Sequence, residues 1–393
     1  MTFRSLSEAE VRGRRVLLRE DLNVPMKDGA IADETRIDAA LPTLRWLHEH
    51  GAKTVILSHL GRPDGTPNPK YSLRPVAARL AQLLGVPVRF VPDCIGDEAV
   101  SVSRALPDGG FALFENVRFH AEEERNDAAF AHELARSGDL YVNDAFGTAH
   151  RAHASTAGVA ADLPAYAGFL MEAELAALAR LTENPTHPFV CAIGGAKVAD
   201  KVGVFENLLA KVDAFVIGGG MANTFLAAQG IDVGKSLRDP DLAPARNIVD
   251  LAQRRGIPLH LPVDAVVADA FDADATARTV PLAQVGDAMI LDIGPQTAQQ
   301  YAAVLRSAKT IVFNGPMGVY EKPAYRDGTR IVGEAIAEAT RSGATSVVGG
   351  GDAAAAAHEL GFADAMTHVS TGGGATLEYL EGKTLPGVAA LER

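Results

Sequence analysis

The sequence predicts an α/β protein: two Rossmann-like, three-layer domains with parallel sheets, joined by a helical hinge. Three observations lead there. The chain has 393 residues, and single hydrophobic cores stop growing at roughly 250–300 residues. Short apolar runs alternate with helical patterns along the whole length, and strand–helix alternation gives parallel sheets covered on both faces. Several helical patterns end on glycine, at Gly51, Gly85, Gly138, Gly256 and Gly343, the residue that most readily takes the left-handed conformation at a helix C-terminus.

Taken in order, the apolar runs of the first half are residues 16–18, 54–57, 88–91, 111–114 and 140–142. Helical patterns lie between them over 37–50, 74–84 and 127–137. In the second half the runs are 189–193, 214–217, 258–261, 289–291, 310–313, 346–348 and 367–369, with helical patterns over 199–212, 243–255, 297–308 and 329–342. The boundary falls in 163–188. A helical pattern covers 171–181 there, and Pro185 and Pro188 end any helix that follows. The expected units are residues 1–170, a hinge helix and linker over 171–187, and residues 188–381.

Composition excludes several classes. The formal net charge is −12. It is spread evenly: 20 Lys+Arg against 26 Asp+Glu in residues 1–185, and 17 against 23 in the rest, or −6 for each half. Without a basic domain, nucleic acid is not expected as a partner. An anionic small molecule fits, because a few focused arginines make a positive pocket on an acidic protein. Cys94 and Cys191 show no metal spacing and form no disulfide framework. The N-terminus lacks the apolar core of a signal peptide, and no run of about 18 apolar residues exists, so no membrane partner and a cytoplasmic location are expected. His150 and His153 have no third ligand beside them, and Glu122, Glu123 and Glu124 read as a solvated run before a helix.

In doubly wound folds ligands bind beyond the carboxyl ends of the strands. The residues after the runs therefore carry the chemistry. In the first half they include Asp21, Asn23, His59, Leu60, Gly61, Arg62, Arg118 and Arg151, with Arg36 after the turn over 27–34. Arginines recur after successive strands. Their planar forks hold carboxylate and phosphate groups bidentately, and each charge-assisted hydrogen bond contributes roughly 1.5–3 kcal/mol.

In the second half, four glycine clusters follow strands, at 194–195, 218–220, 349–351 and 372–374. Glycine lets backbone approach a phosphate, and helix starts offer free amides. Lys197 and Lys201 stand four apart, one helical turn, so both reach one phosphate chain. Asp352 is either a helix N-cap or an oxygen ligand for the magnesium of a nucleotide. Glu321 could accept hydrogen bonds from ribose hydroxyls. No GxxxxGK[ST] motif occurs. Residues 349–354 match GxGxxA, which keeps a nicotinamide dehydrogenase open as an alternative, weakened because no acidic residue follows about 20 positions on. A non-catalytic ligand-binding chain is a second alternative.

Ten ordered stretches together resemble the phosphoglycerate kinase family: RxDxNVP (19–25), SHLGRP (58–63), ENVRF (115–119), NDAFGTAHRAHAS (143–155), GGAKVADK (194–201), IGGGMANTF (217–225), DIGP (292–295), FNGPMGVYE (313–321), GGGD (349–352) and STGGGA (370–375). The resemblance implies reversible phosphoryl transfer from 1,3-bisphosphoglycerate to ADP, giving 3-phosphoglycerate and ATP, by a phosphotransferase with a carboxyl group as acceptor. It implies a 3-phosphoglycerate site of Asp21, Asn23, Arg36, His59, Leu60, Gly61, Arg62, Arg118 and Arg151. The implied nucleotide site is Gly195, Ala196, Lys197, Lys201, Gly219, Gly220, Gly294, Asn314, Pro316, Glu321, Gly349, Gly350, Gly351 and Asp352, with Mg²⁺ carried as Mg-ADP or Mg-ATP and Asp352 as its ligand. Arg36 and Lys197, with the amides of Gly373 and Gly374, are expected at the transferring group. The implied enzyme is a monomer, and its tail, 382–393, returns to the first domain. Three positions depart from the family pattern, one of them Tyr320, a harmless replacement for a common Phe. Glu20 stands where an apolar residue is common and should point away from the crevice; Ala353 removes a hydroxyl next to Asp352.

Overall fold

The computed structural model describes residues 3–392. They divide into two compact units: the residues up to Leu175 with those from Thr384 onward, and Ala176–Lys383.

The first unit is built on a six-stranded parallel sheet in the order Val88–Val91, Phe111–Phe114, Lys53–Leu57, Arg15–Arg19, Leu140–Asn143, Ala165–Ala167. Its central strands are buried along nearly their whole length, as parallel strands covered by helices on both faces must be. Leu17, Leu57, Leu113 and Val142 are all sealed from solvent. Helix Arg74–Leu84 ends at Gly85, which takes φ 71°, and helix Ala128–Ala135 starts where the Asp127 carboxylate accepts the Phe130 amide at 3.0 Å. The chain's last segment belongs to this unit: the Gly387 amide donates to Ala149 O at 2.8 Å, and Glu392 bridges Phe3.

The second unit has its own six-stranded parallel sheet in the order Leu259–His260, Ala214–Ile217, Phe189–Ile193, Thr310–Asn314, Thr345–Val348, His368–Val369. Beside it lies a three-stranded antiparallel sheet, Arg278–Pro281, Asp264–Ala268, Met289–Ile293. This corrects the sequence reading of 289–291 as one more parallel strand. Between Asp264–Ala268 and Met289–Ile293 lie only strand Arg278–Pro281 and the 3₁₀ turns Asp274–Thr276 and Leu282–Gln284, with no crossover helix of the kind that usually carries a chain back to a parallel neighbour. The expected helix over 199–212 is also shorter. It is a 3₁₀ turn at Ala199–Lys201 followed by Val202–Leu208, because Lys201 takes φ −131° between the two.

Candidate active site: an arginine crevice and a glycine-lined cleft

In the first unit the carboxyl ends of the central strands open on a crevice of about 190 Å³. Asp21, Asn23, Arg36, His59, Gly61, Arg62, Arg118 and Arg151 all line it, which is every first-half residue singled out above except Leu60. Leu60 turns into the core and is 2% exposed. Gly147, Thr148 and His150 also line the crevice and were not foreseen.

Three of the four crevice arginines, Arg36, Arg118 and Arg151, are held by their neighbours. Arg36 Nη1 donates to Asp21 Oδ1 and to Asn23 O, both at 3.0 Å. Asn23 Oδ1 in turn accepts the Gly61 amide at 2.8 Å, so the loop after strand Lys53–Leu57 is tied to the loop after Arg15–Arg19. Gly61 is required there. It takes φ +64°, and a Cβ would lie 2.4 Å from the Tyr71 ring. Arg118 is buried, donates to Gly61 O at 3.0 Å and pairs with Glu124 Oε1 at 3.3 Å. Burial and the nearby Arg19 and Arg151 lower its pKa to about 10. Arg151 Nε donates to His150 Nε2 at 3.2 Å, and Arg62 is exposed.

A second layer lies beneath. Arg19 is fully buried; its Nε donates to Ser155 Oγ at 2.8 Å, and its Nη2 contacts His59 Nδ1 at 3.2 Å. Glu123 is also fully buried and accepts the Ser155 hydroxyl at 2.6 Å and the Ser155 amide at 2.9 Å. This corrects the reading of 122–124 as a solvated run: the middle carboxylate is the counter-charge beneath the cations. Burial and the surrounding guanidinium groups hold His59 well below the ordinary imidazole range, and lower His153 to about 3. Both imidazoles are therefore neutral.

In the second unit a larger cleft of about 540 Å³ opens beyond the sheet. Of the expected residues, Gly195, Ala196, Gly219, Gly220, Pro316, Glu321 and Asp352 line it. Backbone packs against backbone at its floor: a Cβ on Gly219 would lie 2.6 Å from Gly195 O. Its walls are apolar, with Leu237, Phe271, Leu291, Met317 and Val319. Leu237 and Phe271 are 55% and 46% exposed, unusual for such side chains and understandable as an open, flat-sided slot. Sequence reasoning missed them because they sit in irregular loops where no periodicity marks them. The available signal was a lone large apolar residue within the polar stretches 235–241 and 269–275.

The other expected residues are not among those that line this cleft. Lys201 Nζ donates to Gly194 O at 2.7 Å and Asn314 O at 2.8 Å, and burial lowers its pKa to about 8. Asn314 Nδ2 donates to Gly349 O at 2.7 Å. These bonds tie together the ends of Phe189–Ile193, Thr310–Asn314 and Thr345–Val348. Lys197 is exposed, and it lies ahead of the 3₁₀ turn that carries Lys201, so the two do not share a helical turn. Gly351 and Asp352 open helix Gly351–Glu359 behind Gly350. Gly294 precedes helix Pro295–Ser307, whose first amides, of Gln296 and Thr297, bond the Asp264 carboxylate. Gly373, at φ 50°, precedes helix Gly374–Leu380. Among the described residues, no helix is long and apolar enough to cross a membrane.

The family model for phosphoglycerate kinase matches residues 6–383. A phosphoglycerate kinase of Chloroflexus aurantiacus is 54% identical over 100% of this chain and 99% of its own length. A wheat (Triticum aestivum) protein named cytosolic phosphoglycerate kinase is 52% identical over 99% of this chain and 98% of its own. Among solved structures, the phosphoglycerate kinase of Coxiella burnetii superposes with a TM-score of 0.91 at 45% identity, covering 99% of both chains. That of Pyrococcus horikoshii gives 0.83 at 36%, covering 99% of this chain and 98% of its own. The nicotinamide and non-catalytic alternatives fall away, and the chain belongs to the phosphoglycerate kinase family, enzymes that move a phosphoryl group between a nucleotide and the carboxyl group of a phosphoglycerate.

Proposed function

We propose that this chain transfers the acyl phosphate of 1,3-bisphosphoglycerate to ADP, reversibly, with the glycerate in the arginine crevice and the nucleotide in the glycine-lined cleft. The observation that carries the reading is the gathering of Arg36, Arg62, Arg118 and Arg151 around a neutral His59. A ligand bearing a carboxylate and a phosphate carries about three negative charges, and guanidinium forks match both groups in shape and charge. In this reading Arg62, Arg118 and Arg151 hold the distal phosphate. Arg36, fixed by Asp21 and Asn23, reaches the reacting end.

The nucleotide base lies against Leu237, Phe271, Leu291 and Val319, with Glu321 accepting from the ribose. Its phosphates run over Gly195, Ala196, Gly219 and Gly220 toward Lys197 and Lys201. Asp352 lines the cleft with its carboxylate exposed, a hard oxygen donor of the kind Mg²⁺ takes. The residues present therefore fit that ion, which when bound would neutralise nucleotide phosphate charge. Phosphoryl transfer needs position and charge more than covalent help. The attacking oxygen is already ionised, so no general base is called for. Arg36, Lys197 and the amides of Gly373 and Gly374 would meet the charge on the transferring group. Movement of the units about the hinge over 171–187 would align the ligands and exclude water. The enzyme works as a cytoplasmic monomer in this reading.

A coupled assay with ATP, Mg²⁺ and 3-phosphoglycerate tests it. Turnover should require all three. ATP consumption that is indifferent to 3-phosphoglycerate contradicts the assignment.

A further inference from the structure

The strand end that supplies Asp21 also carries Glu20, which has no part in the reaction described above. Its side chain is fully buried, and neither carboxyl oxygen receives a donor from backbone, hydroxyl or cationic nitrogen. The carboxyl instead meets Asp144, at the end of the adjacent strand Leu140–Asn143. Asp144 is also fully buried. Its Oδ1 accepts the Met171 amide at 3.0 Å, and the Leu170 amide and Thr43 hydroxyl also bond this carboxylate. Its Oδ2 has no donor. An acceptor lacking a donor thus faces a carboxyl lacking any other partner.

Two buried carboxyl groups in contact do not both ionise; they share a proton. Burial raises Asp144 to about 6, but its three donors oppose that rise and favour its anion, whereas Glu20 has no such donor, so the shared proton belongs on Glu20, facing Asp144 Oδ2. The fit is close. At Gly168, a Cβ would lie 2.3 Å from the Asp144 Cγ, so the chain entering helix Phe169–Thr182 passes directly against this carboxylate. Backbone bonds fix the same corner: Glu20 N donates to Leu57 O and Asp144 N to Arg19 O, each at 2.9 Å.

We propose that Glu20 is a positioning residue for the phosphoglycerate half of the reaction, acting as a neutral carboxylic acid that locks the 19–21 strand end, through Asp144, to the first turn of helix Phe169–Thr182. Arg19 and Asp21, on either side of Glu20, then present fixed faces to His59 and Arg36. The charged groups around the pair are Arg19 and Asp21 on its own strand and Glu172 from helix Phe169–Thr182, while helix Thr35–Glu49 contributes the neutral Thr43. Burial, then the Asp144 charge, raise Glu20 well above the ordinary carboxylate range; Arg19 opposes them. A raised folded-state pKa means that the lock is complete in acid and is lost as pH rises through that value.

The test uses the full-length enzyme with Glu20→Gln and Glu20→Leu. Glutamine keeps a donor toward Asp144 and cannot ionise; leucine removes the donor. In the wild type, KM for 3-phosphoglycerate should climb toward alkaline pH, and amide exchange at Leu170 and Met171 should outpace that of Glu20→Gln at matched pH. Glu20→Gln should hold a low KM and lose the alkaline climb. Glu20→Leu should raise KM on the order of tenfold at all pH, with a smaller change in kcat. Identical KM–pH profiles for the wild type and both variants overturn the proposal. Infrared or carboxyl-carbon NMR spectra at neutral pH test it independently of variant folding. They should show a protonated carboxylic acid in the wild type, and its absence also overturns the proposal. The kinetic arm rests on the crevice being the glycerate site. The spectroscopic and exchange arms do not, so failure of one reading can be told from failure of the other.

Discussion

In the function proposed above, the two sites take the same kind of ligand, an anion, by opposite means. The first-unit crevice concentrates cations and holds them with buried counter-charges, Asp21 on Arg36 and Glu123 beneath Arg19. The second-unit cleft is nearly free of cations on its walls. It offers glycine backbone at the floor and apolar faces at the sides, with Lys201 folded onto carbonyl oxygens behind. A charge-built site depends on a second layer to orient long side chains; a backbone-built site depends on side chains being absent. Mutations should therefore act differently in the two.

The largest effect expected is that of Lys197→Ala. Losing a cation at the transferring group lowers kcat by about 10³-fold or more, whereas steady-state kinetics showing near-native kcat would remove Lys197 from the reaction. Next is Glu123→Gln. It leaves the buried Arg19 without its counter-charge and should lower unfolding stability by about 3 kcal/mol in urea titrations, although position 123 touches no ligand. Phe271→Ala trims the slot wall and should weaken nucleotide binding on the order of tenfold by calorimetry while leaving 3-phosphoglycerate binding alone. Smallest is the response to salt. Between low and physiological ionic strength, KM for 3-phosphoglycerate should rise several-fold and KM for nucleotide less, because screening weakens a partly exposed cluster of charges most. Equal salt slopes would erase the contrast between the sites.

Much of this was legible in the sequence, and the exceptions share a cause. The arginines and glycines were found because strand ends in parallel sheets are predictable from continuous apolar runs. Glu123 was misread because its neighbours Glu122 and Glu124 are polar, and nothing local reports that position 123 lies under Arg19. The spacing of Lys197 and Lys201 suggested a shared helical turn, but the backbone at Lys201 breaks before the helix begins. The antiparallel strands Asp264–Ala268 and Arg278–Pro281 were not foreseen because they are separated by a loop without a turn motif and Arg278–Pro281 is largely exposed rather than a continuous apolar run. Leu237 and Phe271 were missed for the same reason. Pattern reports periodicity; it does not report what a distant loop brings overhead.

The central claim is that the arginine crevice takes the glycerate substrate while the glycine-lined cleft takes the nucleotide. Calorimetric titration of the Arg36→Ala enzyme with 3-phosphoglycerate and, separately, with Mg-ADP tests it most directly. The 3-phosphoglycerate affinity should fall by about tenfold or more with Mg-ADP affinity unchanged; intact 3-phosphoglycerate binding, or an equal loss of both, would contradict the division of labour.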